Sequence, residues 1–264
     1  MYHLNVSSPI INYQKTLKRK IYVDKSLLIK PLNDLIGTDE CYVCITRPRR
    51  FGKTINANML GAYYTRGYDS RELFCGLAIS KEKTYLQHLN QHNVIYIDFS
   101  RMPDLCLSYQ DYITNILTEL RNDLAETYPA LRGKEYSMIS RMLLDTGDSF
   151  IFILDEWDSV FHEEFMHDKE KQLYLKFLKG LLKDQPYVEL AYMTGVLPIA
   201  KYSSGSELNM FREYHFMNDH VYEAYFGLSE AEVQKLCREH TRVSFQELKR
   251  WGLPELLDRN RTNE

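Results

Sequence analysis

With 264 residues, the chain fits one large α/β domain, alone or with a small appendage. A hydrophobic fraction of 44% supports a substantial core, yet the longest apolar runs are strand-sized, short of the ~20 residues that a membrane span needs. A net charge of −3 carries no global nucleic-acid footprint, and five scattered cysteines behind an N-terminus without a signal-peptide layout fit reduced thiols in a cytoplasmic protein.

In chain order, residues 1–20 form an irregular or partly helical lead-in that closes on the basic run Lys15, Lys18, Arg19 and Lys20. Ile21-Tyr22-Val23-Asp24-Lys25-Ser26 then precedes an amphipathic spacing (Leu27, Leu28, Leu32, Leu35) that Pro31 should bend or restart. After the turn Gly37-Thr38-Asp39, the β-like run Cys41–Ile45 leads into Ile45-Thr46-Arg47-Pro48-Arg49-Arg50-Phe51-Gly52-Lys53-Thr54. A helix follows to about Tyr64, with Met59, Leu60 and Tyr63 turned to a sheet. Cys41 and Cys44 sit three apart on a strand and point to opposite faces, so they predict buried thiols and no shared metal.

Loops and short helices are predicted over 65–92. Asn93–Phe99 has the length and composition of a buried strand. A helix over 108–128 carries Ile113, Ile116, Leu117, Leu120 and Leu124, and Pro129 and Gly133 punctuate its end. The wholly apolar run Phe150–Leu154 ends in Asp155-Glu156-Trp157-Asp158. A helix over 169–183 leads to the strand Val188–Met193, capped by Thr194-Gly195, and a last short strand is expected near Tyr214–Met217. The tail reads as helical, with capping boxes at Ser229–Glu232 and Ser244–Glu247 and Pro254 opening a final helix. The division implied is a lead-in (1–20), a core (21–218) and a C-terminal helical segment (219–264).

Strands alternating with helices predict an α/β, doubly wound, mainly parallel sheet with helices on both faces. Ligands bind such sheets at the carboxyl ends of the strands, and three of these ends carry chemistry. The first ends in Gly52-Lys53-Thr54, the second half of a P-loop. Gly52 admits close backbone approach, Lys53 brings a point charge to β/γ-phosphate oxygens, and Thr54 can place its hydroxyl on Mg²⁺. The full pattern wants glycine at position 47, where this chain has arginine. The expected ATP-binding set is therefore Arg47, Pro48, Arg49, Arg50, Phe51, Gly52, Lys53 and Thr54, joined by Thr194. Asp155 and Thr54 are the expected Mg²⁺ residues, and Glu156 the base that activates water. Lys53 and Asp155 are expected on adjacent loop ends of one sheet. Arg47, Arg49 and Arg50 face either a triphosphate or outward to DNA, a partner or a carboxylate. Arg66, Arg71 and Arg212 are further candidates for a transition-state arginine.

The strings quoted at 22–26, 45–54, 94–99 and 154–158 occur with Thr194-Gly195-Val196-Leu197-Pro198-Ile199-Ala200. Together with Ser204–Asn209 and Tyr225-Phe226-Gly227-Leu228, they resemble the AAA-ATPase-like proteins of bacteria, predicted P-loop ATPases, over about 20–250. The resemblance implies a P-loop NTPase-type fold with ATP and Mg²⁺, and it makes Arg47 a family trait. Members commonly continue, after a tryptophan like Trp251, into a PD-(D/E)xK nuclease-like domain. Here the sequence reads Trp251-Gly252-Leu253-Pro254-Glu255 and stops at Glu264, so nuclease activity is not implied. The chain is expected to be a truncated member, a fragment or the partner of a separate nuclease. Two functions stay open: a Mg²⁺-dependent ATPase, or a nucleotide-gated interaction module that binds ATP with little turnover. Expected partners are nucleotide and either a second copy or another protein. Nucleic acid finds no support in overall charge, and no membrane is expected.

Overall fold

Apolar runs of strand length pair into one sheet in the computed structural model, which describes residues 2–202, 207–215, 220–240 and 244–250. The strands are β1 (Tyr42–Thr46), β2 (Asn93–Asp98), β3 (Phe150–Asp155), β4 (Val188–Gly195) and β5 (Arg212–His215). They run in the order β2-β3-β4-β1-β5, and every pairing is parallel. Parallel strands need covered faces, and the burial of all six β3 residues reflects this. The helices are α1 (Ser8–Leu17), α2 (Ile29–Asn33), α3 (Lys53–Tyr64), α4 (Arg71–Phe74) and α5 (Tyr85–His88). They are followed by α6 (Tyr109–Thr127), α7 (Ile139–Leu144), α8 (Asp168–Leu182), α9 (Glu230–His240) and α10 (Phe245–Arg250).

The period of two along β3 sorts its side chains. Ile151, Ile153 and Asp155 share the face that α3 covers, while Phe150 and Phe152 turn to the other. There Phe150 meets Tyr128, at the end of α6, with ring centroids 6.5 Å apart. On that side Tyr112 of α6 donates its hydroxyl to the Phe99 carbonyl (2.8 Å), and Tyr174 of α8 donates to the Trp157 carbonyl (2.8 Å). The two hydroxyls fix both helices to the chain just past β2 and β3.

The lead-in is tied to the sheet. Leu4 bridges Ile95 in antiparallel sense, so residues 3–5 shield the edge of β2 that would otherwise present unpaired backbone. The Asp123 carboxylate, on α6, accepts the N–H groups of Tyr2, His3 and Leu4 at 2.6–2.9 Å. Helix α1 then lies on α3, where Pro9 crosses at Gly61.

Two sequence expectations shift. The helix expected around Leu27–Leu35 is a 3₁₀ turn over Ser26–Leu28 that continues as the short α2, with Pro31 inside it. The last strand ends at His215, and Phe216 and Met217 lie outside the described residues. Both tail capping boxes form. Ser229 Oγ accepts Glu232 N–H (3.3 Å) and Ser244 Oγ accepts Glu247 N–H (3.2 Å), and each glutamate reaches back to its serine N–H. The helix expected at Pro254 lies outside the described residues.

Gly61 is the close approach that sets α1 on α3. A Cβ there would lie 2.6 Å from Pro9 Cβ, a distance that forces the helices apart. Gly61→Ala is expected to cost ~1–3 kcal/mol, read as a lower denaturant midpoint at unchanged m-value.

Candidate functional site

The carboxyl edge of the sheet collects the polar residues that the buried strands cannot hold. Between β1 and α3, the 47–54 loop turns on two left-handed residues, Arg50 (φ 72°) and Gly52 (φ 85°). Gly52 takes the N-cap position of α3 in that conformation, and its carbonyl accepts the Asn56 N–H (2.9 Å). Glycine adopts it at little cost. The N–H groups of the first turn of α3 thus stand at the positive end of the dipole of a 12-residue helix.

Lys53 opens that helix and is only 5% exposed. Its ammonium donates to the carbonyls of Arg47 (3.0 Å) and Pro48 (3.2 Å), folding the side chain back over its own loop. Burial lowers its pKa, and the nearby Glu156, Asp155 and Asp158 carboxylates counter that shift while Arg49 adds to it. One lysine therefore sits within electrostatic reach of three carboxylates from the end of β3.

Asp155 is the buried member of that trio, at 1% exposure. Thr194, from the neighbouring β4, donates its hydroxyl to Asp155 Oδ1 (2.5 Å), and Thr54 hydrogen-bonds the same carboxyl from the start of α3. Burial pushes the Asp155 pKa up to about 6, against the pull of these two hydroxyls, and Asp98 and Glu156 push it further up. Asp98 ends β2 in register with Asp155. Its carboxylate accepts Ser100 N–H (3.1 Å) and Arg101 Nε–H (3.1 Å).

Glu156 follows in the left-handed region (φ 51°), which few non-glycine residues adopt without support. The support comes from β4: Thr194 Oγ1 accepts Glu156 N–H (3.3 Å), and the Thr194 carbonyl accepts Trp157 N–H (2.9 Å). Asp158, 2% exposed, then accepts the N–H groups of Val196 (3.0 Å) and Leu197 (2.8 Å). The buried Trp157 ring lies against Gly195, where a Cβ would collide with the indole. The turn after β3 is in this way fastened residue by residue to the end of β4.

Lys53, Thr54, Asp155, Glu156 and Thr194 thus come together at one edge. Strand β4 lies between β1 and β3, and Thr194 is the bridge from it to Asp155. Pro48, Arg49 and Arg50 are exposed, and Phe51 is half-buried. Arg47 is turned inward, 2% exposed, on the carbonyls of Thr46 (2.8 Å) and Tyr214 (2.9 Å). Arg66 pairs with Asp148 and Arg212 with Glu40, each beside the amino ends of the strands, so the sheet separates both from Lys53. Arg71 pairs with Asp69, past the end of α3. Cys41 and Cys44 are buried, and burial pushes both thiols up, Cys41 to about 11. For Asp98, Trp157 and Asp158 no role follows from the sequence alone. The polar residues that follow each apolar strand were the available signal.

These features define an α/β protein with a glycine-turned loop at a helix N-terminus and a carboxylate pair at the carboxyl edge of a five-stranded parallel sheet. The family model described as Predicted AAA-ATPase (AAA-ATPase-like) matches residues 9–204, and the chain belongs to that family. No curated protein matches it. Membership points to nucleotide binding as a class. Among the described residues no helix is long and apolar enough to cross a membrane.

The folded-state pKa of Asp155 lies above the ~3.9 of an unfolded aspartate. Between the two values the folded protein holds the proton more tightly, so ionising Asp155 costs stability as pH rises from about 4 through about 6. Metal-free Asp155→Asn is expected to be more stable than the natural chain at pH 7.5, by ~1–3 kcal/mol. The gap should close as pH falls to 4 in a series of thermal melts.

Proposed function

We propose that the chain binds Mg-ATP on the 47–54 loop and hydrolyses it, with a P-loop NTPase-type fold. The observation that carries the reading is the buried Asp155 held by one hydroxyl from the head of α3 and one from β4, with Glu156 next in sequence. Few structural needs account for an ionisable residue at 1% exposure beside a helix N-terminus and a lysine.

The donor set fits the metal. Thr54 and Asp155 offer only oxygen ligands, and among the described residues no three His, Cys, Asp or Glu side chains form a protein-only cage. Mg²⁺ suits such a site, because it keeps waters and borrows phosphate oxygens. Thr54 and Asp155 would hold the ion, which neutralises charge on the phosphates when bound. Backbone N–H groups at the head of α3 would bind the β-phosphate. Lys53 would exchange its two loop carbonyls for β/γ oxygens, so that its ammonium meets full negative charge in place of carbonyl dipoles. Glu156 would orient the attacking water and take its proton as the water oxygen bonds to the γ-phosphorus and the bond from that phosphorus to the β–γ bridging oxygen breaks, with ADP as the leaving group. Thr194 would act through Asp155 and the Glu156 amide as a positioning residue.

A second reading, a nucleotide-gated module with little turnover, draws on the folded-back Lys53. An ammonium already bonded to two carbonyls must be displaced before it meets a phosphate.

Calorimetric titration with Mg-ATP and a phosphate-release assay separate the readings. Lys53→Ala should weaken nucleotide binding ~10-fold or more. Glu156→Gln should bind normally and lose turnover ~100-fold or more. Absence of binding by the natural chain rejects both readings. Equal, slow turnover by the natural chain and Glu156→Gln establishes the gated module.

A further inference from the structure

Position 47 carries a guanidinium where a phosphate loop ordinarily has no side chain, and that guanidinium reaches the end of β1, β5 and the Phe226 ring. Arg47 Nη1 donates to the carbonyls of Thr46 (2.8 Å), at the end of β1, and Tyr214 (2.9 Å), in β5. Its Cζ stands 5.2 Å from the centroid of the Phe226 ring, within cation–π range. A residue so engaged acts on the loop through main-chain carbonyls and through Phe226.

Phe226 belongs to a segment, Tyr222–Gly227, that touches the loop and the head of α3 at three places. Besides Phe226 on Arg47, Gly227 donates its N–H to the Phe51 carbonyl (3.0 Å), and Asn56 donates its side-chain amide to the Tyr225 carbonyl (3.0 Å). Gly227 has φ 70°, and a Cβ there would stand 3.0 Å from the Phe51 ring, so both conformation and space favour glycine. The segment is held from behind as well. Tyr222 packs edge-on to Tyr214 (4.6 Å), and Lys25 donates to the Ala224 carbonyl (2.7 Å) while pairing with Glu232 of α9 (2.7 Å). Phe51, which is bulky for a phosphate cradle, thereby has a place: its ring and carbonyl are the loop's half of this contact.

We propose that Arg47 is a positioning residue that fastens the 47–54 loop to Tyr222–Gly227, and through that segment links loop occupancy to α9. The inference rests on nucleotide binding at the loop. For Lys53 to leave the carbonyls of Arg47 and Pro48, the loop backbone that carries Arg47 and Phe51 has to readjust, and the contacts of Phe226 and Gly227 readjust with it. In this proposal the occupied loop holds the contacts of Phe226 and Gly227 more tightly, and because coupling is reciprocal, loosening the segment weakens nucleotide binding.

The test combines titration with Mg-AMPPNP and hydrogen exchange, using the natural chain, Arg47→Lys, Phe226→Leu and the double variant. Arg47→Lys keeps the charge and loses the planar fork. Each single variant is expected to bind the analogue about 5-fold or more weakly, and the double variant no more weakly than the worse single one, because both remove one contact. In the natural chain the analogue should change exchange both in 47–60 and in 220–240. Unchanged affinity in Phe226→Leu, or a response confined to 47–60, overturns the proposal while leaving nucleotide binding intact. If the natural chain does not bind the analogue, the functional reading fails on its own. The positioning role is then read from the ligand-free proteins: faster exchange of 47–54 in both single variants supports it, and unchanged exchange overturns it.

Discussion

The buried carboxyl of Asp155 is the constraint on which the site depends. The apolar run Phe150–Leu154 is flanked by strands on both sides, and Asp155, the last residue of β3, carries a charge-bearing group into that interior. A carboxyl in such a place needs hydrogen bonds on its oxygens. It receives them from Thr54, at the head of α3, and from Thr194, at the end of β4. Those two hydroxyls connect three separate stretches of chain at one point. The raised pKa reflects incomplete compensation: burial still outweighs the hydroxyls, and Asp98 and Glu156 add like charge. A cation brought to this edge would relieve the repulsion.

Around that point the backbone is held where it is least comfortable. Glu156 is left-handed, and Thr194 takes its N–H while Trp157 and Asp158 anchor the following residues to 194–197. Across β4, Arg50 and Gly52 give the 47–54 loop its own left-handed turn. Strain of this kind persists only where neighbours over-determine it, and both turns border the same group of charges. Lys53 shares that environment. Its ammonium rests on loop carbonyls, and burial has already weakened its hold on a proton, so a phosphate would meet a lysine that is only lightly hydrated.

Much of this was readable along the chain. The apolar runs at 41–45, 93–99, 150–154 and 188–193 located the first four strands within a residue or two, and the amphipathic spacing over 108–128 and 169–183 located α6 and α8 as closely. Five residues of the candidate site, Lys53, Thr54, Asp155, Glu156 and Thr194, were legible because each follows an apolar strand at the carboxyl edge of a parallel sheet. Less legible were residues whose role depends on a distant partner. Asp98 matters because β2 lies beside β3, Asp158 because the chain after β4 passes over it, and Gly227 because Phe51 occupies the space beside it. No local pattern contains these partners.

The sequence by itself determined the α/β class, the identity of the strands, the capping boxes at Ser229 and Ser244, and the chemical types gathered at the strand ends. Periodicity and polarity are properties of neighbouring residues, and they survive without knowledge of the rest of the chain. Tertiary structure alone decided that β4 separates β1 from β3, that Arg47 turns inward to Thr46, Tyr214 and Phe226, and that Lys53 folds back over its loop. Each of these turns on which surfaces meet. An arginine near a phosphate-type loop has several carbonyls, rings and anions within reach, and only the packing of β5 and of the 222–227 segment selects among them.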